Sequence, residues 1–158
     1  MRREITFLTV AILGSCLGVP AMAQEMRWQK REGDGRVHLA YEIPDSGAQS
    51  LALTCDTRGG QLSVDYYDDR DRARDGTRAE VEFASEGGTL SLPMRAKQLE
   101  LDDQIVLQTT TTLTQDWVRI LSGKTLRVTL SGDTQRIPLA GARSGLAALV
   151  AGCSRPSR

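Results

Sequence analysis

Three cysteines, one histidine and twenty acidic side chains are the chemistry-bearing residues of this 158-residue chain. Their spacing limits what they can do. Cys55 and Cys153 lie 98 positions apart, far from the C-x-x-C spacing of a redox-active pair, so they are expected to form one structural disulfide. In the chain-entropy picture, closing a loop of that length is worth about 4 to 5 kcal/mol. His38 stands alone: a Ser-His-Asp or Cys-His site would have to recruit it, and tetrahedral zinc lacks ligands. No G-x-x-x-x-G-K-[ST] or G-x-G-x-x-G phosphate cradle opens a helix, and Gly59-Gly60 and Gly87-Gly88 suit hairpins better. Asp68-Asp69 and Asp102-Asp103 are adjacent acids, but neighbours on a strand point to opposite faces. Acids brought together by folding stay open, because spacing does not reveal them.

One pattern resembles a metal loop. Asp71, Asp75, Gly76 and Glu82 fall at positions 1, 5, 6 and 12 of an EF-hand-type calcium loop. Ala73 stands where an oxygen ligand is needed, Arg72 and Arg74 bring positive charge, and Glu82 sits in a strand pattern with Val81 and Phe83. The segment is therefore expected to be a charged hairpin tip. No metal, cofactor or enzymatic activity is expected. The surface first in line for binding is the charged loop beginning at Asp65, with Tyr66, Tyr67, Asp68, Asp69, Arg70, Arg72 and Arg74 as its candidate residues.

The ends and the charge balance indicate where such a surface would work. Arg2 and Arg3, an apolar run over residues 5–19 and Ala21-Met22-Ala23 before Gln24 have the order of a secretory signal, with cleavage expected after Ala23. Leu13-Gly14-Ser15-Cys16 also resembles a lipobox, so a lipid anchor at Cys16 is the competing reading. The apolar run is shorter than a membrane span. A periplasmic or secreted location follows, and it agrees with a disulfide. With 20 basic against 20 acidic residues and only 4% aromatics, the chain lacks the footprint of a nucleic-acid binder.

The elements that must position these residues are mostly strands. Residues 24–35 are polar around Trp28 and are expected to be a leader docking by that ring. Period-2 alternation begins at Arg36: Val37, Leu39, Tyr41 and Ile43 form an inward row and His38 an outward one. Further strands are expected over 51–55, 62–66, 79–83, 89–94, 98–101, 105–112, 126–130 and around 137–139, with a mobile connection over 65–76. Thr114 can cap a short helix carrying Trp117, Val118, Ile120 and Leu121, stopped by Gly123. Leu146, Leu149, Val150 and Cys153 share one face of a C-terminal helix from about Ser144, which places Cys153 at the end of a buried stripe. The expectation is one mainly β domain over 36–158, an antiparallel β-sandwich or small β-barrel with two short helices.

Residues 113–153 add a resemblance. An amphipathic helix, Leu121-Ser122-Gly123-Lys124-Thr125-Leu126-Arg127-Val128 leading into a strand, Pro138-Leu139-Ala140-Gly141 and an Ala/Leu helix over 145–150 resemble the C-terminal half of the invasion-associated locus B family. That resemblance implies a small exported bacterial protein, β-rich and non-enzymatic, acting as an envelope factor linked in pathogens to host-cell entry. A fainter similarity to small periplasmic lysozyme inhibitors implies the same one-disulfide barrel. The expected function is binding of another envelope protein or a secreted effector. The alternative is a β-barrel holding a lipid or small ligand, with a cell-wall-acting enzyme or a lysozyme-inhibitor-like protein ranked below it.

Overall fold

The computed structural model describes residues 25–68, 70, 72–100 and 104–154. The expected signal segment, Cys16, Asp69, Asp71 and Asp102-Asp103 lie outside the described residues. In chain order the elements are β1 (Arg27–Gly33), β2 (Arg36–Glu42), β3 (Gln49–Asp56), β4 (Gln61–Asp68), β5 (Arg78–Ser85), β6 (Gly88–Gln98), β7 (Ile105–Thr112), α1 (Gln115–Leu121), β8 (Thr125–Leu130), β9 (Asp133–Pro138) and α2 (Ala142–Cys153).

All nine strands join one antiparallel sheet in the order β1-β2-β3-β4-β7-β6-β5-β8-β9, curled into a half-barrel. Of the two expected architectures, the curled single sheet is the barrel-like one. Its curl brings the two edge strands together at one point, where the Trp28 indole N–H on β1 donates to the Pro138 carbonyl on β9 at 2.7 Å. The leader reading of residues 24–35 is corrected here. Trp28 does dock, its ring tilted against Tyr41 with centroids 5.6 Å apart, but residues 27–33 pair with β2 along their whole length. They escaped the strand pattern because an edge strand buries only one of its residues deeply, and its polar remainder faces water.

Alternation sorts each strand into a concave and a convex row. Val37, Leu39, Leu51, Leu53, Cys55, Leu62 and Val64 point into the concave side and are almost fully buried. The two helices close that side. Trp117, Ile120 and Leu121 of α1 enter the core, with the Trp117 ring 5.0 Å from Phe83. The Thr114 hydroxyl caps α1 by accepting from the Trp117 N–H. Its other end is held by Ser85, whose hydroxyl donates to the Ile120 carbonyl at 2.7 Å, and by Gly87, where a Cβ would lie 2.0 Å from the Arg119 carbonyl oxygen.

Helix α2 lies across β1, β2 and β3. Gly145 lets it approach closely, since a Cβ there would come within 2.3 Å of the Leu39 side chain. Its last residue, Cys153, is bonded to Cys55 on β3, with the two Cα atoms 5.6 Å apart. The two strands expected over 89–94 and 98–101 are instead one strand, β6, running through Pro93 to Gln98. Proline fits because β6 pairs with β7 only from Arg95 onward, so Pro93 has a strand neighbour on one side alone.

Candidate functional site

The loop expected to present a binding surface folds largely inward. Tyr66 is fully buried and Asp68 is 3% exposed, both on the concave row of β4. A carboxylate removed from water needs partners, and Asp68 has two: Arg72 donates from its backbone N–H and from Nη2 at 2.9 Å, and Arg70 Nε lies 3.5 Å away. The same arginines reach Asp133, Arg72 Nη1 at 2.7 Å and Arg70 Nη1 at 3.8 Å. The Tyr66 hydroxyl donates to Gln135 and accepts from Arg70, and Gln135 in turn donates to Ser50. These residues form a polar knot tying β3 and β4 to the β8–β9 hairpin. The expected mobile connection is thus anchored at Arg70 and Arg72. Asp69 lies outside the described residues, while Tyr67 is half-buried on the convex face and Arg74 is exposed.

Of the calcium-like pattern, Asp71 lies outside the described residues. Ala73 is buried, Glu82 sits on β5, and among the described residues no group of three His, Cys, Asp or Glu converges.

What the fold does assemble is a polar tract on the convex face, built by register. Arg31, His38, Thr54, Ser63 and Thr110 follow one another across β1, β2, β3, β4 and β7. The neighbouring row runs Ala40, Ala52, Asp65, Gln108 and Arg95 across β2, β3, β4, β7 and β6. The alanines at its start are fully buried. Two adjoining depressions lie along the tract. One of about 600 Å³ is lined by residues of β4, β7 and β6, including Ser63, Asp65, Gln108, Thr110, Arg95 and Lys97, with Asp75 and Gly76 at its rim. The other, about 330 Å³, continues over Arg36, Thr54, Asp56 and Gln61 and shares Ser63, Asp65 and Thr110 with the first.

Electrostatics mark the centre of this trough. Burial pushes the Asp65 carboxyl above its ordinary range, partly offset by the Gln108 amide that donates to it at 2.9 Å. Burial, and then the nearby Arg31 charge, hold the His38 imidazole below its ordinary value; His38 Nδ1 shares a 2.9 Å hydrogen bond with the Thr54 hydroxyl. Burial and the Asp65 charge raise the Tyr67 phenol. His38 and Asp65 sit two strands apart, about 10 Å across the sheet, and each has its own neutral partner. They can orient and hydrogen-bond a ligand, but the spacing is poor for a proton relay. Further along β2, Glu42 is 3% exposed and held in a fork by Arg31, with Gln49 donating to it at 2.9 Å.

Sequence reasoning placed His38 on an outward row but missed the trough. Each of its residues was visible as the polar half of an alternation. Which strands would lie side by side was not visible.

No protein-family model matches the chain, and a search of curated proteins finds no match. Among solved structures, the crystal structure of invasion associated protein B from Bartonella henselae is similar to this chain: the comparison covers 80% of this chain and 94% of that one at 14% identity, with a TM-score of 0.49.

Proposed function

We propose that this protein is a non-catalytic binding protein that works outside the cytosol, engaging another macromolecule of the envelope or a secreted effector through the convex trough. One observation carries the reading. The larger of the two adjoining depressions lies at the centre of a sheet whose opposite side carries the buried core, so the recognition surface rests on a supported scaffold. A sheltered cysteine pair supports an oxidising compartment, and among the described residues no helix is long and apolar enough to cross a membrane. The lipid-barrel alternative needs an apolar cavity where Trp117, Phe83, Leu149 and their neighbours instead fill the concave side.

The test is site-specific photocrosslinking in cells. A photoreactive residue at Thr110 should give a discrete adduct, lost in the triple variant Arg36→Gln, Arg95→Gln, Lys97→Gln. The same probe at Arg143, exposed on α2, should give none. The same adducts from both positions, or none from Thr110, would refute the trough as the binding face.

A further inference from the structure

Beside the trough, the sheet is open along part of one seam. β7 pairs with β4 over its whole length, but with β6 only through residues 105–108 against 95–98. Beyond that point the two strands part, and β6 from Gly88 to Met94 pairs with β5 alone. Register decides which backbone groups face the split. The N–H and carbonyl of Ala96 are taken by Thr77 and Gly76 on the β5 side, so Arg95 and Lys97 hydrogen-bond toward β7, at Gln108 and Val106. Alternation then turns the N–H and C=O of Thr110 and Thr112 into the split, where no backbone group among the described residues meets them. On the opposite wall the same alternation points the Pro93 nitrogen into the split, and it carries no N–H. Helix α1 packs against β6 and β5 and floors this slot. It starts just after β7 and ends against the β5–β6 turn at Ser85 and Gly87; its seven residues span about 10 Å, two strand spacings. Leu90 and Leu92 on β6, with Leu113 and Val118 of the β7–α1 segment, stay only half-buried along it.

Resting on the binding function proposed above, we infer that the partner is a protein that donates an extended segment to this slot, adding a strand to the free edge of β7 over residues 109–112. An alternating row of N–H and C=O groups at strand spacing is a template for another polypeptide backbone. The donated segment needs both of its edges free, because β7 lies on one side of the slot and β6 on the other. Each described strand of this chain is already paired along at least one side, so a second folded copy does not supply it. A tail or linker of another protein does. Residues of an added antiparallel strand that hydrogen-bond Thr110 and Thr112 share their convex face, so these are polar and reach the trough, whose lining includes Thr109 and Thr110. The intervening residues are apolar and face Leu90, Leu92 and Val118. Pro93 withholds its donor from the β6 wall, which leaves β7 to set the register.

The experiment uses the disulfide-bonded mature protein and amide hydrogen exchange read by NMR. In the free protein the Thr110 and Thr112 amides should exchange fast, and those of Thr109 and Thr111, which face β4, slowly. The probe is a capped octapeptide alternating valine and threonine between terminal lysines. Its binding should protect Thr110 and Thr112 at least tenfold and leave Thr109 and Thr111 unchanged. N-methylation of the peptide's threonines, whose amides would face β7, should abolish binding. Thr110→Pro removes an N–H that faces the split and leaves the β4 ladder intact, so it should unfold cooperatively and bind the peptide at least tenfold more weakly; Thr112→Pro is the second variant, with the same expectation. No protection, equal protection of all four amides, unchanged binding by the proline variants, or protection that rises with protein concentration in the absence of peptide would each overturn the inference, the last by pointing to a second copy. If Thr110 crosslinking in cells still yields its charge-dependent adduct while the peptide fails, strand addition is wrong and binding at the trough stands. If both fail, both fall.

Discussion

Replacing Cys55 and Cys153 together with alanine should remove a large share of this domain's stability while leaving its core composition almost unchanged. The bond closes a loop across 98 positions, for which chain entropy alone gives about 4.7 kcal/mol at 25 °C, an upper figure because real denatured chains retain structure. A domain of this size has roughly 5 to 15 kcal/mol in total. Unfolding entropy of about 2.1 cal/mol/K per residue over the roughly 130 residues from 25 to 154 is about 0.27 kcal/mol/K. A loss of about 3 to 4.7 kcal/mol therefore lowers Tm by about 11 to 17 °C. The structure also predicts how the bond responds to reductant. The Cys55 side is fully buried beneath α2, so dithiothreitol should reduce it slowly in native buffer and fast once urea opens the domain. The assays are urea and thermal unfolding of oxidised, reduced and double-alanine protein by far-UV circular dichroism, with thiol titration against time. Alanine is the better probe, since serine would bury a hydroxyl without a designed partner. Midpoints within about 2 °C of one another would refute the claim that the cross-link holds α2 to the sheet.

Three further outcomes follow from named contacts. Asp68→Asn leaves Arg70 and Arg72 with exposed Asp133 as their counter-charge and weakens their hydrogen bonds to the buried side chain, so it should cost about 1 to 3 kcal/mol, read from denaturant midpoints at unchanged m-value. Gly145→Ala forces α2 away from Leu39 and should cost about 1 to 3 kcal/mol; a double-mutant cycle with Leu39→Ala should show favourable coupling, and strict additivity would refute the close approach. The convex face should show opposite pH signatures. His38, held below its ordinary value, contributes stability that is present above about pH 6.5 and is lost as pH falls toward its folded pKa, so His38→Gln should flatten the stability profile below that pH. Asp65, held above its ordinary range, is easier to keep folded when protonated, so Asp65→Asn should raise stability at neutral pH.

How much could be read in advance depended on the range of the interaction. The Thr114 cap, the Trp117 face and the Leu146–Leu149–Cys153 stripe are local, and each was legible because a helix or strand imposes its own period on the residues that make it. The disulfide was legible for a different reason: with one cysteine in the expected signal segment, only two remained to pair. The charged segment around Asp68 misled because charge density is usually a solvent signal. Here β4 alternation carried Asp68 inward, and two arginines followed it in. The strand β1 was missed because its polar exposed face erased the alternation, leaving Trp28 as the one visible anchor.

By itself the sequence determined that the chain is mainly β, that two helices flank its eighth and ninth strands, and that one cysteine pair bridges the chain. Only the tertiary structure decided the strand order β4-β7-β6-β5, and with it which polar rows lie side by side. Strand pairing joins residues far apart in the chain, so Asp65 meets Gln108 and Ser63 meets Thr110 through sheet register alone.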